Sequence, residues 1–155
     1  MKKRERWDFY FMRFAYLAAS RTTCIRRKVG AALVKDKQVV ATGYNGNPRG
    51  IEHCATRGCI RNKLDIPSGT RHEVCTGLHA EQNLIIQAAR TGVRVRNCTL
   101  YCTTRPCVIC AKMIINADIE KVFFVEHYPD ELSDQLLHEA GIPCYQLKVD
   151  FSDNA

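Results

Sequence analysis

The sequence has no run approaching the roughly 18 uninterrupted apolar residues that a helix needs to cross a bilayer, and no internal repeat. It holds only 5 Pro and 9 Gly in 155 residues, with 46% hydrophobic and 25% charged residues. Those values exclude a collagen-like, low-complexity or disordered chain, and a folded one is expected. Acidic residues are also scarce: 16 Asp and Glu against 23 Lys and Arg leave a formal charge of +7. The balance favours an anionic partner, a nucleotide or a nucleic acid, without choosing between them. The length suits a single domain over residues 1–155 with a real core. Met1-Lys2-Lys3-Arg4 resembles the charged end of a signal peptide, but Asp8 and Arg13 interrupt the apolar run behind it, so a helix is expected there.

Cysteine is present in excess. Nine thiols cannot all pair, and several stand at the short spacings that metals prefer. Metal binding is therefore the first expectation, and free thiols without a membrane span point to the cytoplasm.

Trp7, Phe11, Phe14, Ala15 and Ala18 recur at helical spacing and predict an amphipathic helix over residues 5–19. Two apolar runs, 29–34 and 38–44, flank Lys35-Asp36-Lys37 and read as a β-hairpin ended by Asn45-Gly46-Asn47-Pro48. Periodicity is then lost to Leu78, in a Cys-rich insert at about 47–78 that reads as loop and, at that length, needs a reason. Beyond it, helices are predicted over 80–90, 107–116 and 131–140, alternating with strands over 99–103, 121–125 and 144–148. The alternation argues for an α/β sheet whose later strands are parallel, with helices on both faces.

The chemistry gathers in His79-Ala80-Glu81 and Pro106-Cys107-Val108-Ile109-Cys110. Cys107 and Cys110, three apart at a helix start, share one face, where the dipole's positive end favours thiolates. In a parallel arrangement successive helices begin on one edge of the sheet, which lets His79 meet both sulfurs. Three ligands leave the fourth position of a tetrahedral zinc open, the mark of a catalytic site. Two thiolates neutralise the ion, so it acidifies water weakly and needs a base; Glu81, two residues past the ligand, supplies it. A closed structural site with Glu81 as fourth ligand is the alternative. The His-x-Glu and Pro-Cys-x-x-Cys pair matches the signature of zinc nucleobase deaminases, with the glutamate moving protons during attack on the base.

Over residues 20–148 the chain resembles the deoxycytidylate (dCMP) deaminase family. The likeness rests on Lys28-Val29-Gly30-Ala31, on Gly43-Tyr44-Asn45-Gly46 with Pro48, on His79-Ala80-Glu81-x-Asn83, and on the Cys-rich insert. The resemblance implies a cytidine-deaminase-like three-layer α/β/α fold with a mixed five-stranded sheet, acting on dCMP to give dUMP and ammonia and so supplying dUMP for thymidylate synthesis. It further implies a homo-oligomer, with a hexamer favoured, no membrane, and no nucleic-acid partner. By similarity Asn45, Ala80 and Tyr128 would contact substrate, Asn45 through the sugar; Asn-Gly turn chemistry is the plainer role for Asn45.

The family is controlled by dCTP and dTTP, an effector that Mg²⁺ would accompany. Arg26, Arg27, Lys28, Gly43, Tyr44 and Gly46 are the candidates to hold it, the basic residues being otherwise a solvated turn. Some members hold a second, structural zinc; here Cys54, Cys59 and Cys75 are the candidates, with Cys24 or His72 as fourth, and reduced buried thiols are the alternative. Cys98, Cys102 and Cys144 read as core, and His53, His127 and His138 stay outside the site. Two other readings stand beside this one: a zinc-stapled nucleic-acid-binding module, which has no use for Glu81, and a deaminase of nucleosides or nucleic acid.

Overall fold

The computed structural model describes residues 4–149. Helix α1 spans Trp7–Ala19, followed by a hairpin of β1 (Gly30–Lys35) and β2 (Gln38–Tyr44). Asp36 and Lys37 turn it with φ of 48° and 59°, the left-handed values that a two-residue hairpin matched to strand twist requires. After the insert come α4 (Ala80–Thr91), β3 (Thr99–Thr104), α5 (Val108–Asn116), β4 (Lys121–Glu126), α6 (Glu131–Glu139) and β5 (Cys144–Gln146). The insert contributes two four-residue helices, α2 (Cys54–Arg57) and α3 (Ile60–Lys63), and one 3-10 turn at His72–Val74.

The five strands lie in the order β2-β1-β3-β4-β5. β1 runs antiparallel to β2 and β3, whereas β4 and β5 run parallel to β3, giving the expected mixed sheet with parallel later strands. Strand alternation sorts β1 between two cores. Ala31 and Leu33 pack with Leu84, Leu100, Ile114 and Leu137 under α4, α5 and α6, while Ala32 and Val34 meet Phe11, Met12 and Ala15 of α1. Cys98 and Cys102 are buried in the first core and Cys144 packs against it, as the sequence suggests.

Glycines set how closely the layers approach. A Cβ on Gly30 would lie 1.9 Å from the Ala15 carbonyl oxygen in α1, and one on Gly43 would lie 2.3 Å from that of Ala80 in α4. Gly43 thus seats α4 on β2, its open side filled by helix backbone.

Other departures are local. The buried stripe of α1 is Phe11, Met12, Ala15 and Ala19; Trp7 is 42% exposed and stacks on Phe11. The helices α2 and α3 were legible only as loop, because four residues are too few for a periodicity to register. β5 stops at Gln146 instead of 148. Among the described residues no helix is long and apolar enough to cross a membrane.

Candidate active site

Because β1 lies antiparallel between β2 and β3, the two outer strands point the same way. The segments leaving them therefore open α4 and α5 on one edge of the sheet. His79 is the residue before α4, and Cys107 holds the same place before α5, one residue later than a helix starting at 107 would have it. The approach to His79 is fixed by a bridge between Leu78 and Gly46: the Leu78 N–H donates to the Gly46 carbonyl at 2.8 Å and the Gly46 N–H returns a bond at 3.1 Å. Gln82 Oε1 then accepts from the His79 N–H at 2.7 Å, half of a capping box.

The Cys107 loop is held by Asp130, whose Oδ2 accepts from the Val108 N–H at 2.8 Å and whose Oδ1 accepts from the Ser133 N–H at 3.1 Å. One carboxylate caps α5 and α6 together. Ser133 Oγ, fully buried, donates to the Pro106 carbonyl at 2.7 Å. Sequence reasoning passed over both residues, although an Asp immediately before a helical pattern is a start signal.

His79 Nδ1 lies 3.4 Å from Cys107 Sγ and 3.3 Å from Cys110 Sγ. These three are the one group among the described residues whose metal-binding atoms converge within 4.8 Å of one another. An imidazole and two thiols on an edge of helix starts fit zinc in donor chemistry and in number, leaving a fourth position for another ligand. Cys110 keeps its proton and Cys107 accepts: a hydrogen bond from Cys110, then one from His79, holds Cys107 down at about 4, while the bond to Cys107 and burial push Cys110 up. His79 is in turn raised, chiefly by its bond to Cys107.

Glu81, 4% exposed, stands beside this group with its pKa raised, above all by burial. Cys102 Sγ donates to Glu81 Oε1 at 3.5 Å, and burial pushes that thiol's own pKa up, so it remains a donor. Among the described residues, the other buried charge is Arg61.

A cleft opens over the group, lined by His79, Ala80, Glu81 and Cys107 and by Asn45, Gly46 and Tyr128. Four arginines, Arg26, Arg27, Arg61 and Arg105, also line it. Of the expected substrate contacts, Ala80 and Tyr128 are at the cleft wall, with the Arg27 guanidinium 5.3 Å from the Tyr128 ring centre.

Asn45 is there too, but its side chain is largely engaged. Oδ1 accepts from the Val29 N–H at 3.0 Å and from Thr22 Oγ1 at 2.7 Å, and Nδ2 donates to the Arg27 carbonyl at 2.9 Å. One Nδ2 hydrogen is left over. Gly46 lines the cleft, whereas Tyr44 and Lys28 are exposed outside it.

Cys24, Cys54, Cys59, His72 and Cys75 share the cleft wall without converging as a second metal group. Cys54 Sγ is turned instead to Asn47 Oδ1 at 3.7 Å, and the His72 ring meets His79 edge-on at 5.1 Å between centres. Arg61 and Arg105 escaped the sequence reading, since nothing in the local pattern separates them from solvated arginines.

The family described as the cytidine and deoxycytidylate deaminase zinc-binding region matches residues 5–126. The chain is 44% identical over 145 residues to a deoxycytidylate deaminase of Saccharomyces cerevisiae, covering 93% of this chain and 46% of that protein. It is 41% identical over 144 residues to one of Schizosaccharomyces pombe, covering 92% and 44%. It thus spans about half the length of these curated relatives. Among solved structures, the dCMP deaminase of cyanophage S-TIM5 in complex with dCMP and dUMP superposes with a TM-score of 0.77 at 28% identity, over 94% of this chain and 99% of that one. With the zinc-fitting triad and the mixed sheet beneath it, these matches place the chain in the cytidine and deoxycytidylate deaminase family.

Proposed function

We propose that this chain is a zinc-dependent hydrolase that converts dCMP and water to dUMP and ammonia, as one deaminase domain carrying a Cys-rich insert. The observation that carries the reading is Glu81: a carboxyl buried at 4% exposure beside a three-residue metal group, in a cleft lined by arginines. A structural zinc site or a nucleic-acid-binding module has no use for that arrangement.

His79 Nδ1, Cys107 Sγ and Cys110 Sγ would hold the zinc, which when bound supplies a Lewis acid that activates water toward C4 of the cytosine ring. Glu81 takes the proton that the water gives up and delivers it to the ring nitrogen N3. It then carries a second proton to the departing amino group, which leaves as ammonia. Burial raises the Glu81 pKa toward the working range of a group that must both accept and donate. The Cys102 thiol orients its Oε1. Ala80 and Tyr128 shape the wall against the nucleotide, and Asn45, through its spare Nδ2 hydrogen, is placed to reach the sugar.

Ammonia release from equal concentrations of dCMP, deoxycytidine, CMP and adenosine tests the reading. Strong preference for dCMP is expected; deoxycytidine turned over as efficiently as dCMP would replace it with a nucleoside deaminase.

The same reading extends to dCTP and dTTP control with Mg²⁺, a homo-oligomer, a second zinc and a cytoplasmic setting. Arg26 and Gly46 on the cleft wall, with Lys28 and Tyr44 exposed outside it, support the effector part. The thiols of Cys54, Cys59 and Cys75, with Cys24 and His72 on the same wall, support a second zinc that would require them to draw together; two zincs per chain is the outcome that establishes it. Nine free cysteines support a reducing compartment.

A further inference from the structure

Arg61 is 9% exposed, yet among the described residues no carboxylate lies within 4.0 Å of it. Its Nη2 donates to the carbonyls of Pro67 at 2.9 Å and Thr70 at 2.7 Å, while its Nε has no partner. A guanidinium carries five N–H donors and cannot shed its charge. Burying one against two neutral carbonyls leaves the charge itself uncompensated, an unfavourable arrangement unless an anion completes it.

The surroundings fit an anion. Ser68 and Gly69, within the loop that Arg61 holds, line the cleft together with Arg61. Arg26 Nη1 donates to the Ile66 carbonyl at 2.9 Å, so a second guanidinium is tied to the start of the same loop. Gly69, at φ +79°, brings its backbone so close to Tyr128 that an added Cβ would lie 2.6 Å from the phenol oxygen. Two guanidinium groups, a serine and a tyrosine hydroxyl therefore border one short loop of the cleft that holds Glu81. Phosphate, with its several acceptor oxygens, is the group that such a set of donors recognises.

We propose that Arg61 grips the phosphate of the nucleotide, with the 66–70 loop and the Tyr128 hydroxyl around it, so that the insert carries the choice of nucleotide over nucleoside. The proposal rests on the dCMP reading above and names the residue that makes the selection. The insert then has a reason that neither a core nor a metal supplies: it brings a buried cation to the open side of the site.

The test uses the zinc-loaded full chain with Arg61→Gln and Arg61→Lys. Two quantities are read: the ratio of kcat/KM for dCMP to that for deoxycytidine, and the affinities for dUMP and deoxyuridine by calorimetry. Removing one member of a buried hydrogen-bonded charge pair should cut the dCMP ratio by about 30-fold or more in Arg61→Gln. The advantage of dUMP over deoxyuridine should shrink alongside, with zinc content retained.

Arg61→Lys, keeping the charge without the fork, should fall between the two proteins. If Arg61 only staples the loop, both substrates decline together and the ratio holds, which overturns the proposal; so does an undiminished dUMP advantage. Should Arg61→Gln fail to fold, the ratio is read on Arg61→Lys instead, where a drop supports the proposal and an unchanged ratio overturns it. Should no cytosine substrate release ammonia even from the unaltered chain, the deaminase reading falls, and the dUMP arm alone decides whether Arg61 holds phosphate.

Discussion

The edge formed by the starts of α4 and α5 and the wall formed by the insert meet at one cleft but are built differently. The first rests on a continuous core: Ala80, Leu84 and Ala88 of α4 and Ala111 and Ile114 of α5 are fully buried in one cluster with Leu33, Ala41, Leu100 and Val122 of the sheet. Its loops are closed by capping groups, Gln82 for α4 and Asp130 for α5. The insert buries little, Cys54, Cys59, Arg61 and Ile66, and Arg26 and Arg61 tie its 66–70 loop together through side-chain bonds to backbone carbonyls. Groups that must be held to a fraction of an ångström belong on packed elements, whereas recognition tolerates a surface held by a few polar ties. On the proposed reading, the contrast divides chemistry at the edge from substrate choice at the insert.

The largest effect should come from the edge. Glu81→Gln keeps the shape of the side chain and removes its ability to carry protons, so kcat should fall by about 10²–10⁴. Zinc content should stay at the level of the unaltered chain, because the glutamate is not a ligand; metal analysis beside an ammonia assay checks both. Loss of zinc in this variant would make Glu81 a fourth ligand and turn the edge into a structural site. Cys110→Ala, by contrast, should lose metal and activity together.

A second test sharpens the electrostatics of the edge. Zinc needs a neutral imidazole and two thiolates, so bound protons compete with it. Cys107, held down at about 4, has no proton to lose near neutrality, while Cys110 is raised and keeps one. His79 is raised above its ordinary 6.5, so below its own pKa it adds a second competing proton. Zinc affinity should therefore weaken as pH falls, by about tenfold per pH unit above the His79 pKa and about a hundredfold per unit below it. Competition with a chromophoric chelator across that range reads the slope. A slope that never steepens on the acidic side would mean that His79 is already neutral, and that the thiolate–imidazolium pair does not form.

Asp130 tests whether the edge owes its rigidity to capping. Asp130→Ala removes the acceptor for two helix N-termini, each cap contributing about 1 kcal/mol. Stability should drop by about 2 kcal/mol and zinc affinity by about 10- to 100-fold, the range for groups that orient metal ligands. Denaturant unfolding of the metal-free protein separates the first loss from the second. An unchanged zinc affinity would show that the sheet alone places Cys107 and Cys110.

The same division explains what the sequence disclosed. The edge is legible because its residues are adjacent in short motifs and its elements are long: His79-Ala80-Glu81 and the Cys107/Cys110 pair sit where alternation of strand and helix predicts two helix starts. The triad converges because β1 is antiparallel to both neighbours, which the hairpin already hints at. The packing role of Gly43 is hidden because a glycine in a turn motif and a glycine under a helix look alike until the helix is in position. The insert resisted for the opposite reason. Its helices are shorter than a readable period, and Arg61 is distinguished only by burial, which depends on carbonyls six and nine residues away.

The smallest effect concerns Asn45, where the two regions meet. Thr22 Oγ1 lies 2.6 Å from the Asn45 carbonyl and 2.7 Å from its Oδ1, so it anchors the end of the hairpin while Asn45 itself bonds Val29 and Arg27. Thr22→Val keeps the shape and deletes the hydroxyl, a change worth about 1 kcal/mol for one part-buried hydrogen bond. For a chain of this size that corresponds to a fall in Tm of about 2–4 °C. Val29 and Arg27 still fix the Asn45 amide, so KM for dCMP should change by less than about twofold. If KM rises by tenfold with an unchanged Tm, the hydroxyl acts on substrate. Thr22 and Asn45 would then belong to the recognition surface with Arg61, and the line between chemistry and choice would run along the hairpin end instead of along the insert.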